Sequence, residues 1–218
     1  MSKHFQIELK KIKKLLLSLG EVVEERVLQA IQAVVTHDSE LAKKIIVNDH
    51  EIDEMEVELE EECLKVMALH QPVAVDLRFL VGVIKINNDL ERIGDEAKNI
   101  AQRIGIITKH DDYDFIFDYS VMAAKTENML KKSLEAFVNL DINLAFSIIP
   151  LDDEVDKIKR TAYDKIKEAM AEHPDHIGYL INLLLISRHL ERIADHATNI
   201  AEDVVYMIEG EIIRHEKL

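Results

Sequence analysis

The sequence predicts an all-α protein made of two tandem antiparallel three-helix bundles related by an approximate twofold. Three observations predict it. Gly and Pro are scarce, 6 and 3 in 218 residues, too few for the turns of a sheet-rich chain. Leu, Ile, Glu, Lys and Ala dominate, and apolar residues recur three and four apart, as in long helices. The chain also repeats itself: LERIGDEAKNIA (Leu90–Ala101) returns as LERIADHATNIA (Leu190–Ala201), identical at nine of twelve positions.

The repeat extends upstream of that segment. Leu41-Ala42 matches Leu144-Ala145, and Asp49, Glu51 and Asp53 match Asp152, Glu154 and Asp156. These matches lie 103 residues apart, whereas the two LERI segments lie 100 apart. The second copy is therefore three residues shorter, most simply in the loop before its third helix. Residues 1–110 form the first repeat and 111–218 the second, with the polar KHDDYDF stretch (Lys109–Phe115) at the boundary.

Each repeat reads as three helices. The first has them at about 5–36, 39–69 and 73–108, the second at about 119–139, 142–172 and 175–209. Asp38 and Asp141 stand where N-caps of the middle helices belong, since a carboxylate there accepts from unpaired backbone N–H groups. Pro72 and Pro174 suit the first turns of the third helices. Pro150 falls where the first copy has Val47, and a proline inside a helix should bend or break it just before Asp152. Cys63 lies in an apolar stripe and reads as a core residue in a chain suited to a reducing, cytosolic compartment.

On the third helices Leu90, Ile93, Ala97, Ile100 and Ile104 follow core spacing. Glu91, Asp95 and Asn99 then fall on the far side at i, i+4 and i+8, as do Glu191, Asp195 and Asn199. The middle helices carry a second acidic pair, Asp49/Asp53 and Asp152/Asp156, flanking the stripes of Ile52, Met55, Leu59 and Val155, Ile158, Ala162. Like charges one turn apart destabilise a helix slightly. Their presence on two helices of each repeat predicts one cation site per bundle, built from one pair of acids on each helix. Clustered carboxylates suit iron, manganese, magnesium, calcium or zinc. Asn99 and Asn199 are secondary candidates for a neutral oxygen or an outer hydrogen bond, and His50 and His196 for extra ligands. Arg92 and Arg192 read as ion-pair residues, with anion contact beside the metal as the alternative.

Other classes fit less well. A formal net charge of −15 repels nucleic acid phosphates and anionic lipid. The longest apolar runs fall far short of the ~20 residues needed to cross a bilayer, and the N-terminus lacks a signal-peptide apolar region. No GxxxxGK[ST], GxGxxG or GxSxG motif occurs. None of the ten His residues has Glu three positions before it, as a ferritin-like di-iron core requires. A non-enzymatic metal-binding protein is the leading reading. The alternatives are a carboxylate-bridged metal store or di-iron enzyme, and an adaptor whose acidic faces bind basic partners without metal.

NDHEID (Asn48–Asp53), QPVAVDLR (Gln71–Arg78), DLERIGDEAKNIA (Asp89–Ala101) and HLERIADHATNIAEDVVYMIEGEIIRH (His189–His215) together resemble the PhoU family of bacterial phosphate-transport accessory proteins. The resemblance spans essentially the whole chain. It implies two three-helix bundles, a cytoplasmic location and often a homodimer. It also implies multinuclear iron or zinc sites on [ED]xxxD motifs, here Asp49/Asp53, Glu91/Asp95, Asp152/Asp156 and Glu191/Asp195. The implied function is negative regulation of the phosphate-starvation response, linking the ATPase subunit of the phosphate ABC transporter to a sensor histidine kinase.

Overall fold

The computed structural model describes residues 3–108 and 117–213, so the expected boundary at 109–115 lies outside the described residues. Among the described residues there are seven α-helices and one short 3-10 turn, with no strand. The first bundle consists of α1 (Lys3–Thr36), α2 (Ser39–Val47), α3 (His50–His70) and α4 (Val75–Ile107). The second consists of α5 (Ser120–Asn139), α6 (Ile142–Glu172) and α7 (Ile177–Glu209). The α2–α3 pair corresponds to α6, so each bundle has three helical layers, as the repeat predicts. No helix among the described residues is long and apolar enough to cross a membrane.

Periodic apolar residues build both cores. On α1, Ile12, Leu16, Leu19, Val23 and Val27 are buried at three- and four-residue spacing, and on α4 and α7 the LERI segments bury Leu90, Ile93, Leu190 and Ile193. Cys63 is fully buried, and burial pushes its thiol up to about 12. Asp38 Oδ1 accepts from the amides of Glu40 and Leu41, both at 2.9 Å. Asp141 accepts from Leu144 N at 3.0 Å. Both predicted caps are therefore made.

The prolines behave differently from expectation. Pro72 lies in the loop before α4, which instead starts beyond Ala74. Pro174 opens the 3-10 turn that precedes α7, not α7 itself. The helix around Pro150 does not break: α6 runs unbroken from Ile142 to Glu172. Pro150 is exposed, so one backbone hydrogen bond is lost on the solvent side while the flanking turns hold. The interruption falls in the first repeat, one residue past the position equivalent to Pro150. There Asn48 and Asp49 separate α2 from α3, and the amides of Glu51 and Ile52 bond to Asn48 O and Asp49 O, three residues back. Asn and Asp compete with the helix for backbone partners, and Asp49 is also drawn toward α4.

The most extensive helix contact joins the two bundles, α4 against α7. It is close: a Cβ on Gly82 would stand 2.3 Å from Met207 Cγ. Polar pairs cross the seam and follow the pseudo-twofold. Asp89 and Glu96 of α4 occupy the positions of His189 and His196 of α7, and the pairs cross. His196 Nδ1 lies 2.8 Å from Asp89, and His189 Nδ1 lies 2.6 Å from Glu96. Arg192 Nε adds a 3.0 Å contact to Glu96, and Lys85 pairs with Asp203 at 3.0 Å. Burial alone would raise the Glu96 carboxyl, but the His189 hydrogen bond and the charges of His189 and Arg192 hold it below the usual range.

Candidate metal-binding clusters

In the first bundle the groove between α2–α3 and α4 gathers acids from both sides. Asp49 is buried, Glu91 is three-quarters covered, and Asp95 and Asp53 are more open. Glu91 is raised above its ordinary value by burial and then by the charge of Asp95, opposed by Arg92, with lesser contributions from Asp53 and Glu56. Asp95 is raised by burial, opposed by Lys98 and reinforced by Asp49 and Asp53. Glu56 is raised by burial, then by Glu60 and Asp53. The structure thus draws Asp49, Asp53, Glu91 and Asp95 into one electrostatic group and adds Glu56 to it.

The second bundle repeats the arrangement. Asp152 is pushed up to about 6 by burial and by the charges of Asp195, Asp156 and Glu191. Asp195 also reaches about 6, through burial and the charges of Glu191 and Asp156, with His196 and Lys159 opposing. These four residues form the second group.

Each group already contains a cation from the protein. Lys98 Nζ donates to Asp49 Oδ2 and lies 3.9 Å from Asp95. The Asp49 hydrogen bond holds this ammonium above its ordinary range. Lys159 Nζ donates to Glu191 at 2.5 Å. The two lysines come from opposite sides of their grooves, Lys98 from α4 and Lys159 from α6. Lys98 stands where the second copy has Thr198, and Lys159 where the first has Glu56. With these contacts in place, no three His, Cys, Asp or Glu among the described residues lie close enough to share one ion. Clustered carboxylate oxygens that already hold a lysine ammonium are nonetheless the donor chemistry that a hard or borderline cation takes.

Several secondary candidates face elsewhere. Asn199 donates to Asp89 at 3.2 Å in the bundle seam, and Asn99 hydrogen-bonds Glu96. Eight residues of helix carry a side chain about 80° past its starting direction, which turns both asparagines away from the acids. His196 is engaged with Asp89, and exposed His50 sits 3.0 Å from Val47 O. Neither histidine is gathered as a ligand. Arg92 stays on its own helix, 3.4 Å from Glu91, while Arg192 bridges to Glu96. The far face expected for Glu91 and Asp95 is in fact a groove, because α4 is covered on several sides. The sequence reading missed Glu56, Lys98 and Lys159. Their signal was the exchange of charge between copies, Glu56 for Lys159 and Lys98 for Thr198.

The PhoU domain model matches residues 16–104 and again 119–204. The chain belongs to the PhoU family. A phosphate-specific transport system accessory protein PhoU homolog of Pseudomonas aeruginosa is 36% identical over 216 residues, 99% of this chain and 89% of that protein. One from Aquifex aeolicus is 36% identical over 97% of this chain and 96% of its own length. The crystal structure of PhoU from Pseudomonas aeruginosa superposes with a TM-score of 0.91 at 36% identity, covering 95% of this chain and all of that one. The phosphate transport system regulatory protein PhoU of Streptococcus pneumoniae gives 0.84 at 31% identity, covering 95% and 98%. PhoU membership supports a role in the regulation of phosphate transport, and the relatives are named as accessory or regulatory proteins rather than enzymes.

Proposed function

We propose that this PhoU-family chain is a metal-binding, non-enzymatic regulator of phosphate uptake that works in the cytoplasm as a homodimer. In this reading it represses the phosphate-starvation response by linking the ATPase subunit of the phosphate ABC transporter to a sensor histidine kinase. Asp49, Asp53, Glu91 and Asp95 hold metal in the first bundle, and Asp152, Asp156, Glu191 and Asp195 in the second, with iron or zinc as the proposed ions. The observation that carries the metal assignment is the pair of carboxylate groups at pseudo-equivalent grooves, where burial and neighbouring acids raise Glu91 and Asp95 in one and Asp152 and Asp195 in the other, and where each group holds a lysine ammonium. A bound cation relieves that repulsion; Lys98 and Lys159 must then swing away from Asp49 and Glu191. The acids do not enclose a dry pocket, so the arrangement favours binding over redox turnover.

The test is elemental analysis of protein purified without added metal, followed by titration with Fe2+ and Zn2+ at pH 7. Bound metal is expected, and Glu91→Ala with Asp95→Ala should remove the share held by the first bundle. A chain that neither retains nor takes up metal would leave the metal-free adaptor as the surviving reading. Unchanged metal content in the double variant would disprove the first-site assignment.

A further inference from the structure

A groove of about 620 Å³ runs along the outside of the second bundle between α6 and α7. Its floor is apolar, made by Leu184, Leu185 and Tyr163, and Tyr163 is half exposed. Ile181 and Ile177, one and two turns earlier on α7, continue the exposed apolar strip. The polar edge is basic: Lys159, Arg160 and Arg188 line it against a single acid, Asp164. Three cations on one groove stand out in a chain of net charge −15. Arg188 is exposed and makes no ion pair among the described residues. The equivalent positions of the first bundle carry Glu56, Val57, Glu60, Glu61 and Asn88. The basic groove therefore belongs to the second repeat and is not a general property of the fold.

We propose that this groove docks an acidic amphipathic helix of a partner protein, and that docking is coupled to metal occupancy of the second carboxylate cluster. Two antiparallel helices with an apolar strip between them offer the seat that a third helix takes in a bundle, read through anchors at i, i+3, i+4 and i+7. The basic rim selects for acids flanking those anchors. The coupling arises because two rim residues serve both sites. Lys159 is held by Glu191 at 2.5 Å and Arg160 lies 3.6 Å from Asp156. A cation on Glu191 and Asp156 frees both side chains for the groove, and an acidic helix in the groove frees both carboxylates for the cation. Linkage makes the effect reciprocal: each ligand must tighten the other by the same factor. The coupling rests on the metal reading above; the groove does not.

The experiment uses the full chain and a labelled synthetic helix with leucine on one face and glutamate on its flanks. A matching peptide carries lysine in place of glutamate, and Zn2+ is titrated in parallel. The glutamate peptide is expected to bind, the lysine peptide to fail, and Arg188→Glu to weaken binding about tenfold or more. Zn2+ should tighten the glutamate peptide several-fold in the parent chain and leave it unchanged in a variant carrying Asp152→Asn and Glu191→Gln. Arg188 is exposed, so the variant should keep its helical signal and melting temperature; Arg160→Ala gives a second reading. Equal binding of both peptides, no binding of either, or unchanged binding by both variants overturns the groove. Zn2+ uptake without any change in peptide affinity overturns the coupling alone. Absence of Zn2+ uptake overturns the metal reading and leaves the peptide comparison to decide the groove. Concentration-dependent self-association that Arg188→Glu abolishes would give the groove to a second copy instead.

Discussion

Gly94 and Ala194 are one of the three differences between the LERI segments, and packing explains it. A Cβ on Gly94 would stand 2.8 Å from Ile52 Cδ1. The residue equivalent to Ile52 in the second copy is Val155, one methylene smaller, opposite an alanine one methylene larger. The two copies conserve volume by moving a carbon across the helix contact. Gly94→Ala alone should therefore destabilise the chain by ~1–3 kcal/mol through overpacking, and Ile52→Val should recover most of that loss. A double-mutant cycle by chemical denaturation measures it, and additive effects would show that the two sites do not share this space. The acids make a separate prediction. Asp152 and Asp195, pushed up to about 6, stay protonated longer in the folded chain than in the unfolded one, where Asp titrates near ~3.9. Their contribution to metal-free stability is thus greatest at low pH, declines as pH rises from about 4 to about 6, and is flat above. Asp152→Asn should raise metal-free stability at pH 7 by on the order of 1 kcal/mol after solvent screening, while weakening metal uptake by the second bundle. Metal binding there should release protons below about pH 6, which calorimetry in buffers of different ionisation enthalpy reads directly. The eight paired acids were legible because identical letters recur at fixed offsets. Glu56, Lys98 and Lys159 were not, because each occurs in one copy only and its role appears only when two helices are set side by side.

At the scale of helices, periodicity located every long element, while ends and interruptions followed local chemistry that periodicity does not report. Caps were readable because an Asp before a helical run has a single strong use. Asp38 satisfies two backbone amides and begins a helix of nine residues, whereas Asp141 satisfies one and begins a helix of 31. A short helix depends more on its first turn. Asp38→Ala should accordingly cost ~1–2 kcal/mol and Asp141→Ala closer to ~0.5–1 kcal/mol. Faster amide exchange should be confined to residues 40–47 in the first variant, and an equal loss in both would show that helix length does not set the dependence. The prolines were harder to read. Pro150 is tolerated because it faces solvent, and exposure at one turn of an amphipathic helix depends on which neighbours cover it. The interruption at Asn48–Asp49 uses polar residues whose competing bonds become visible only once Asp49 is seen reaching Lys98 on α4.

Across the whole molecule, the α4–α7 seam decides whether the two bundles behave as one unit. Positions 96 and 196 differ between the copies, Glu against His, and in one dimension His196 reads as a candidate extra ligand. They are opposite halves of a crossed pairing, and Asp89 and His189 complete it. A surface change between copies and a complementary change across an interface look alike in one dimension; the pseudo-twofold distinguishes them by bringing position 89 to 196 and position 96 to 189. Glu96 is the most enclosed member, its side chain 4% exposed between His189 and Arg192. Its carboxyl is held below the usual range in the folded chain, so its stabilisation is present above the unfolded value near ~4.3 and is lost as pH falls through the lower folded value. Glu96→Gln keeps the shape and removes the charge. It should lower the melting temperature at pH 7 by several degrees, on the order of 1–3 kcal/mol for a buried partner left uncompensated. The gap from the parent chain should close as pH falls through the lowered folded value of Glu96, where the parent loses the same charge by protonation. Melting curves of both proteins at several pH values between 7 and 3 test this. A gap that stays constant across that range would mean that Glu96 holds the seam by packing rather than by charge.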